Sequence, residues 1–241
     1  MIIGNGLLAS SIKNCDRDDM LFIAAGVSDS KCTDQREFDR EKKLVIELVK
    51  EHKDKIVVFF SSFSVSDPVM ANSAYVITKL WLEDYVQQNC PRFLIIRLSN
   101  LVGQGGNSKN VFNFFVNQII TGSRFSLWAK SQRNLIMEED LARILDHIIT
   151  HELDVKKNCI LNIVNVKIFN VHEIVEAIEH FTGKKALYDV VEIESIPHEV
   201  DEHSKQMFEV LNIETDNYLE RILKKYFSKH AVTRTEQSFS S

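Results

Sequence analysis

The chain of 241 residues is 44% hydrophobic and 26% charged, a balance typical of soluble globular proteins that bury a substantial core. Its net charge is −5 and its basic residues cluster no further than Lys-Lys pairs, which argues against a dedicated surface for nucleic acid or anionic membranes. No apolar run reaches membrane-spanning length and the first residues lack a signal-peptide pattern, so we expect a cytoplasmic protein.

Apolar runs alternate with segments of helical periodicity along most of the chain. This alternation predicts βα units and an α/β fold with a mostly parallel sheet. The predicted strands are Met1–Ile3, Met20–Ala25, Ile56–Phe60, Phe93–Leu98, Ile160–Val164 and Leu187–Ile193. The predicted helices are Phe38–Glu51, Ala74–Gln88, Val111–Thr121, Glu138–Thr150, Val171–Thr182 and Tyr218–Phe227. We expect a polar loop before the last helix and a disordered polar tail over residues 231–241.

The turn after the first predicted strand is rich in glycine. Gly4-Asn5-Gly6-Leu7-Leu8-Ala9 opens a helix there, which is the context of a dinucleotide-binding fingerprint. The first glycine permits a tight turn, and the second lets a pyrophosphate approach the helix N-terminus. An ordinary glycine-rich turn has the same composition, so this motif alone is weak evidence for a cofactor site. In such folds an acidic residue about 20 positions further on holds the ribose, and spacing alone nominates Asp29.

Tyr75 and Lys79 lie four positions apart at the start of a predicted helix, so they share one helix face. An isolated tyrosine titrates near pH 10, and a neighbouring ammonium favours the phenolate that proton transfer requires. The spacing alone recurs by chance in a lysine-rich chain. The position of the Tyr75–Lys79 pair is more informative than its spacing. The pair follows a strand that ends in Ser61-Ser62, where a hydroxyl can assist the same reaction.

Five motifs in order resemble the extended short-chain dehydrogenase/reductases, in particular the NAD(P)-dependent nucleotide-sugar epimerase/dehydratase family. They are Gly4-Asn5-Gly6-Leu7-Leu8-Ala9, Ala24-Ala25-Gly26, Ser61-Ser62, Tyr75-Val76-Ile77-Thr78-Lys79 and Arg133-Asn134-Leu135-Ile136. In this resemblance Leu21–Gly26 matches the family's fourth strand. The resemblance therefore implies a Rossmann-type sheet that lacks strands two and three with their helices, on the side where adenosine normally binds. It cannot distinguish NAD from NADP.

The resemblance also implies roles for individual residues. The catalytic residues would be Ser62, Tyr75 and Lys79. The NAD(P) contacts would be Gly4, Gly6, Leu7, Leu8, Ala24, Ala25, Gly26, Tyr75, Lys79 and Ser99. The substrate, a nucleoside-diphosphate sugar, would meet Ser62, Asn100, Asn110 and Arg133. Arg133 matches the arginine that clamps the substrate diphosphate, and Asn134 replaces the aspartate that usually follows it.

The function implied is a nucleotide-sugar epimerase, with a keto-sugar reductase as the close alternative, in surface polysaccharide synthesis. A non-catalytic binding or regulatory member of the family is the alternative from another class.

The resemblance implies a single domain over residues 1–230, with substrate-binding elements at about 104–135 and 160–228, and a homodimer formed through helices 38–51 and 74–88. Four widely spaced cysteines favour reduced thiols, and eight scattered histidines, including His147 and His151, do not suggest a metal site.

Overall fold

The computed structural model describes residues 1–106, 110–156, 158–192 and 199–231. A five-stranded parallel sheet forms its centre, in the order β1-β2-β3-β4-β8. The strands are β1 Ile2–Ile3, β2 Met20–Ile23, β3 Ile56–Ser62, β4 Phe93–Leu98, β5 Asn100–Val102, β6 Arg124–Trp128, β7 Gln132–Met137, β8 Cys159–Ile163, β9 Ile168–Asn170 and β10 Leu187–Val191. The helices are α1 Leu7–Ser11, α2 Gln35–Glu51, α3 Ala74–Asn89, α4 Val111–Thr121, α5 Glu138–His147, α6 Leu153–Lys156, α7 Val171–Thr182, α8 Glu202–Val210 and α9 Tyr218–Tyr226.

Side chains alternate between the two faces of the central sheet, and helices cover both faces. Leu21 and Ile23 of β2 belong to the core formed with α2 and α3. Met20 and Phe22 belong to the core on the opposite face, which also takes in α5 and α8. Burial on both faces explains why these strands read as continuous apolar runs.

The strand order confirms the shortened Rossmann-type sheet. β1 pairs in parallel with β2, which is followed by β3 and β4. Only α1 and the 3₁₀ turn Lys13–Cys15 lie between β1 and β2, so the described chain leaves β1 at the sheet edge. β2 therefore occupies the fourth-strand position that the resemblance gives it.

A second core lies in the part of the chain that follows β4. It is formed mainly by α4, α7 and α9 with residues of β6 and β7. β6 pairs in parallel with β10, while β7 pairs in parallel with β5 and antiparallel with β9. This core corresponds to the small C-terminal subdomain that the resemblance implies.

Several predicted boundaries and one predicted loop are wrong. The expected polar loop before the last helix contains α8, whose buried Met207 and Phe208 pack on the sheet. The predicted helix Glu138–Thr150 is α-helical only to His147, where a π-helical turn, Ile148–Glu152, takes over. The short strands β5, β6, β7 and β9 were not predicted. Residues 232–241 of the expected tail and Ile193 of the predicted last strand lie outside the described residues.

No helix in the described ranges is both long and apolar enough to cross a membrane.

Candidate active site

The carboxyl ends of the parallel strands β1, β2, β3 and β4 lie at one edge of the sheet, where ligands bind in open α/β folds. At this edge Gly4 has a positive φ of +140°, and a Cβ on it would lie 2.5 Å from the Ala24 carbonyl oxygen. Only glycine fits this close approach. A Cβ on Gly6 would meet no atom within 4 Å, so the turn before Leu7 and Leu8 faces open space. The close approach of Gly4 to Ala24 places the first two predicted cofactor motifs next to each other.

Ser61 and Ser62 end β3, and the structure gives their hydroxyls different partners. Ser61 is in register with Arg97 of β4, and its hydroxyl donates to Glu83 Oε1 at 2.6 Å. Arg97 binds the same carboxylate at 3.0 and 2.7 Å. Ser62 instead accepts a hydrogen bond from the Ser64 N–H at 3.2 Å. Because it acts there as an acceptor, the Ser62 hydroxyl retains its proton for donation.

Tyr75 and Lys79 lie on the buried face of α3, one turn apart. Ser73 caps this helix by accepting from the Val76 N–H at 3.2 Å, which fixes where the helix begins. Tyr75 packs with Val27 and Phe38 and is 7% exposed. The Lys79 ammonium lies 5.6 Å from the centre of the Tyr75 ring. The helix thus brings the phenol and the ammonium together, as the spacing predicts.

Glu41 of α2 is the residue that sequence reasoning missed. Its Oε1 lies 2.5 Å from Lys79 Nζ, and its Oε2 accepts from the Val27 N–H at 3.0 Å. Both charged side chains are buried. One signal was available, because Phe38, Glu41, Val45 and Leu48 form the buried stripe of α2 at helical spacing.

The charges around Lys79 determine its protonation. Burial alone would disfavour the ammonium, but the Glu41 carboxylate, with smaller contributions from Tyr75 and Glu83, raises the pKa of Lys79 above its ordinary value. Lys79 is therefore a cation at neutral pH.

Ser99 and Asn100 follow β4 directly. The Ser99 hydroxyl oxygen is buried and has no hydrogen-bond partner among the described residues. The Asn100 amide donates to the Asn134 carbonyl oxygen at 2.9 Å, which ties the start of β5 to β7. Asn134 itself forms a reciprocal pair with Asn165 at 2.6 and 2.9 Å.

Arg133 lies beside Asn134 at the start of β7. It donates to the Gln132 carbonyl oxygen at 2.7 Å. Burial lowers the pKa of Arg133, and the Asp67 carboxylate opposes that shift. Because Asp67 lies in the turns between Ser62 and Tyr75, the guanidinium is close to the segment that carries the predicted catalytic residues.

Two further candidates have local partners. The Asn110 amide nitrogen donates to the Leu101 carbonyl oxygen at 2.7 Å, while its oxygen caps α4 at the Phe112 N–H. Asp29 accepts from the Lys31 N–H at 3.0 Å within the loop after β2. That loop reaches the end of β6, where the Lys31 ammonium lies 4.9 Å from the centre of the Trp128 ring.

Three of the histidines, His147, His151 and His203, form a small cluster around Glu152. His203 Nε2 lies 2.9 Å from Glu152 Oε2, and His147 Nε2 lies 3.8 Å from Glu152 Oε1. Across the described ranges, no group of three or more His, Cys, Asp or Glu side chains has a geometry that could hold a metal ion.

The fold and the site together define a Rossmann-type α/β protein of the short-chain dehydrogenase class. The model of the NAD dependent epimerase/dehydratase family matches residues 45–164, about half of the chain. The chain belongs to this family, and the resemblance drawn from its motifs is confirmed. No match was found among curated protein sequences.

Solved structures with this fold cover most of the chain at low sequence identity. A dTDP-glucose 4,6-dehydratase of Bacillus anthracis, solved with NAD, is 17% identical, with a TM-score of 0.67 over 92% of this chain and 77% of that one. A UDP-glucuronic acid 4-epimerase of Bacillus cereus, solved with UDP-glucuronic acid and NAD, is 18% identical, with a TM-score of 0.67 over 87% and 74%. A UDP-N-acetylglucosamine 4-epimerase of Methanobrevibacter ruminantium, solved with UDP-N-acetylmuramic acid, is 18% identical, with a TM-score of 0.68 over 91% and 79%.

Proposed function

We propose that the protein is an NAD(P)-dependent enzyme that epimerises, or reduces at a keto group, a nucleoside-diphosphate sugar. The observation that carries the proposal is the buried face of α3, which holds Tyr75 beside the charged Lys79 and packs against β3. The substrate class rests on family membership and on what the solved neighbours bind. Surface polysaccharide synthesis in the cytoplasm is the setting we propose by analogy with the family.

The residues at the carboxyl end of the sheet fit the nicotinamide half of a dinucleotide. The turn at Gly6 has open space for a ligand, and the buried Ser99 hydroxyl has no partner among the described residues. Gly4, Leu7, Leu8, Ala24, Ala25 and Gly26 would line the same cofactor site. The bound dinucleotide would supply the hydride acceptor or donor.

The chain's own residues would then move the proton. Tyr75 would accept the proton of a sugar hydroxyl during oxidation and return it during reduction. Lys79 would favour the phenolate form, and Ser62 would donate a hydrogen bond to the reacting oxygen. Arg133 would bind the diphosphate, because a guanidinium is suited to bidentate contacts with phosphate oxygens, with Asn100 and Asn110 beside the sugar.

We also propose the domain and subunit arrangement of the family. Elements at about 104–135 and 160–228 would form the substrate side of a single domain over residues 1–230. Two copies would associate through α2 and α3. Ile77, Leu80 and Trp81 on α3 are large apolar side chains that are 54%, 38% and 40% exposed, which supports this surface as the interface. A monomer by light scattering at micromolar concentration would contradict it.

A non-catalytic binding protein is the alternative, and one observation favours it. β1 is an edge strand in the described chain, so the usual support for the adenosine half is missing beside it. A dinucleotide would have to bind mainly through its nicotinamide half or with help from another chain. Retention of Ser62 together with the Tyr75–Lys79 pair on one helix face favours the enzyme.

The test compares Tyr75→Phe with Tyr85→Phe, the same change on the same helix. Turnover of UDP- and dTDP-sugars with added dinucleotide should fall at least about 100-fold in Tyr75→Phe, because a general acid–base group contributes that much or more. Dinucleotide affinity should stay near the wild-type value, and Tyr85→Phe should remain active. Wild-type rates in Tyr75→Phe would refute the catalytic assignment. A wild-type protein without turnover or dinucleotide binding would favour the non-catalytic alternative.

A further inference from the structure

The ion pair between Glu41 and Lys79 is built into the centre of the proposed site. The two side chains are 1% and 5% exposed, and Oε1 and Nζ are 2.5 Å apart. The second carboxylate oxygen is held by the Val27 N–H at 3.0 Å, so the Glu41 carboxylate is fixed from two sides. A surface ion pair contributes little, whereas a buried one depends strongly on both partners.

Gly26 provides the space in which this pair forms. A Cβ on Gly26 would lie 2.3 Å from Glu41 Oε1 and 3.1 Å from Lys79 Nζ. Any side chain there would displace the carboxylate or the ammonium. Gly26 is the third residue of the predicted cofactor motif Ala24-Ala25-Gly26. This motif therefore lies directly against the Glu41–Lys79 ion pair.

The other groups that face Lys79 supply no equivalent counter-charge. On its own helix they are Tyr75, whose ring centre is 5.6 Å away, and Glu83. Glu83 is already bound in two places by Arg97 of β4. β3 presents the uncharged ring of Phe59, whose centre is 5.9 Å from Nζ. The carboxylate that compensates Lys79 is thus supplied by α2.

We propose that Glu41 is a positioning residue of the candidate site, whose carboxylate holds the Lys79 side chain in its charged form beside Tyr75. The inference rests on the proposed function only in giving this pair a role in catalysis. In a buried position an ammonium without a counter-charge tends to lose its proton. A neutral lysine would not favour the phenolate of Tyr75, so α2 belongs to the site although none of its residues was predicted there.

The test is a titration of the lysine side chains by ¹³C NMR in the ligand-free protein, with the Lys79 signal assigned from Lys79→Arg. In wild type the midpoint of Lys79 should lie above the ordinary lysine value of 10.5. In Glu41→Gln it should fall by at least about one pH unit, a tenfold change in the ionisation constant, because burial is no longer offset. The matched control is Glu47→Gln, which removes the same charge from an exposed site on α2 and should leave the midpoint unchanged.

A folded Glu41→Gln variant with an unchanged Lys79 midpoint would overturn the proposal. So would a wild-type midpoint below the ordinary lysine value, a measurement that needs no change at Glu41. Glu41→Asp keeps the charge and should restore most of the shift, whereas a purely structural role would not link the midpoint to charge.

This titration requires neither turnover nor cofactor, so it can succeed even if the proposed function fails. If the enzyme is active, the alkaline limb of its pH profile should move to lower pH in Glu41→Gln but not in Glu47→Gln. An unmoved limb would contradict a role for Glu41 in catalysis.

Discussion

Two buried carboxylates, Glu41 in the candidate site and Asp140 beside the second core, are compensated in different ways. Glu41 faces the full charge of Lys79 at 2.5 Å. Asp140 accepts from the neutral hydroxyl of Tyr218 at 2.7 Å, and Arg143 Nη1 lies 3.8 Å from its Oδ1. Asp140 Oδ1 is buried and has no hydrogen-bond partner in the described part of the chain.

The comparison shows two roles for a buried carboxylate: Glu41 sets the charge of Lys79, whereas Asp140 joins secondary-structure elements. Burial raises the pKa of Asp140, and the hydrogen bond from Tyr218 with the charges of Arg221 and Arg143 offsets this only in part. Tyr218 also accepts from the Met137 N–H at 2.8 Å, so the pair ties α9 to the end of β7 and the start of α5. At Lys79, in contrast, Glu41 raises the pKa despite complete burial.

The largest expected effect comes from removing one partner of the charged pair. Glu41→Leu leaves the Lys79 ammonium buried without its counterion, which should lower the free energy of unfolding by about 3–5 kcal/mol. The double variant Glu41→Leu/Lys79→Met replaces both charges with apolar groups and should recover most of that loss. Urea denaturation of the wild type and both variants measures the effect. A double variant as unstable as the single one would contradict the account of the pair.

A smaller effect is expected at the neutral pair. Tyr218→Phe leaves the Met137 N–H without its acceptor and Asp140 without its donor, at a cost of about 2–3 kcal/mol. Asp140→Asn should cost less, because the amide still offers an acceptor and carries no charge to bury. The same denaturation experiment ranks the two variants. An Asp140→Asn variant less stable than Tyr218→Phe would show that the Asp140 charge itself stabilises this junction.

The pH dependence of stability should distinguish the two regions. The folded-state pKa of Asp140 is raised, so its contribution is complete below the ordinary value of 3.8 and is lost as the pH rises through the folded-state pKa. Wild type should therefore lose stability relative to Asp140→Asn as the pH rises from 3.8 through the folded-state pKa. The pKa of Lys79 is also raised, so its contribution is complete below 10.5 and is lost as the pH rises further. If wild type instead lost stability relative to Asp140→Asn as the pH was lowered, the folded-state pKa of Asp140 would not be raised, and this account of Asp140 would be refuted.

The smallest effect is expected on the exposed face of α2. Lys43 and Glu47 form an ion pair at 3.9 Å with side chains 76% and 60% exposed. Glu47→Gln should change the free energy of unfolding by less than about 0.5 kcal/mol. A larger change would mean that this variant is not a neutral control for Glu41→Gln.

The sequence predicted the central sheet well because its strands are buried on both faces and stand out as apolar runs. The same reading missed α8, where only a few apolar residues, including Met207 and Phe208, interrupt a charged segment. The pairing of Tyr75 with Lys79 was predictable because both lie on one helix. The partners Glu41 and Glu83 were not, since each contact depends on how α2, α3 and the strands pack together. The roles of Asn100, Asn110 and Arg133 toward a substrate stay predictions.

The central claim is that this shortened fold still binds a nicotinamide dinucleotide. Calorimetric titration of the purified protein with NAD, NADH, NADP and NADPH tests it most directly, after a check for cofactor retained through purification. We predict saturable binding of one oxidised and reduced pair with a dissociation constant below about 1 mM, which corresponds to a binding free energy of about −4 kcal/mol. No heat of binding at millimolar concentrations of all four, with no retained cofactor, would contradict the claim and favour a non-catalytic protein.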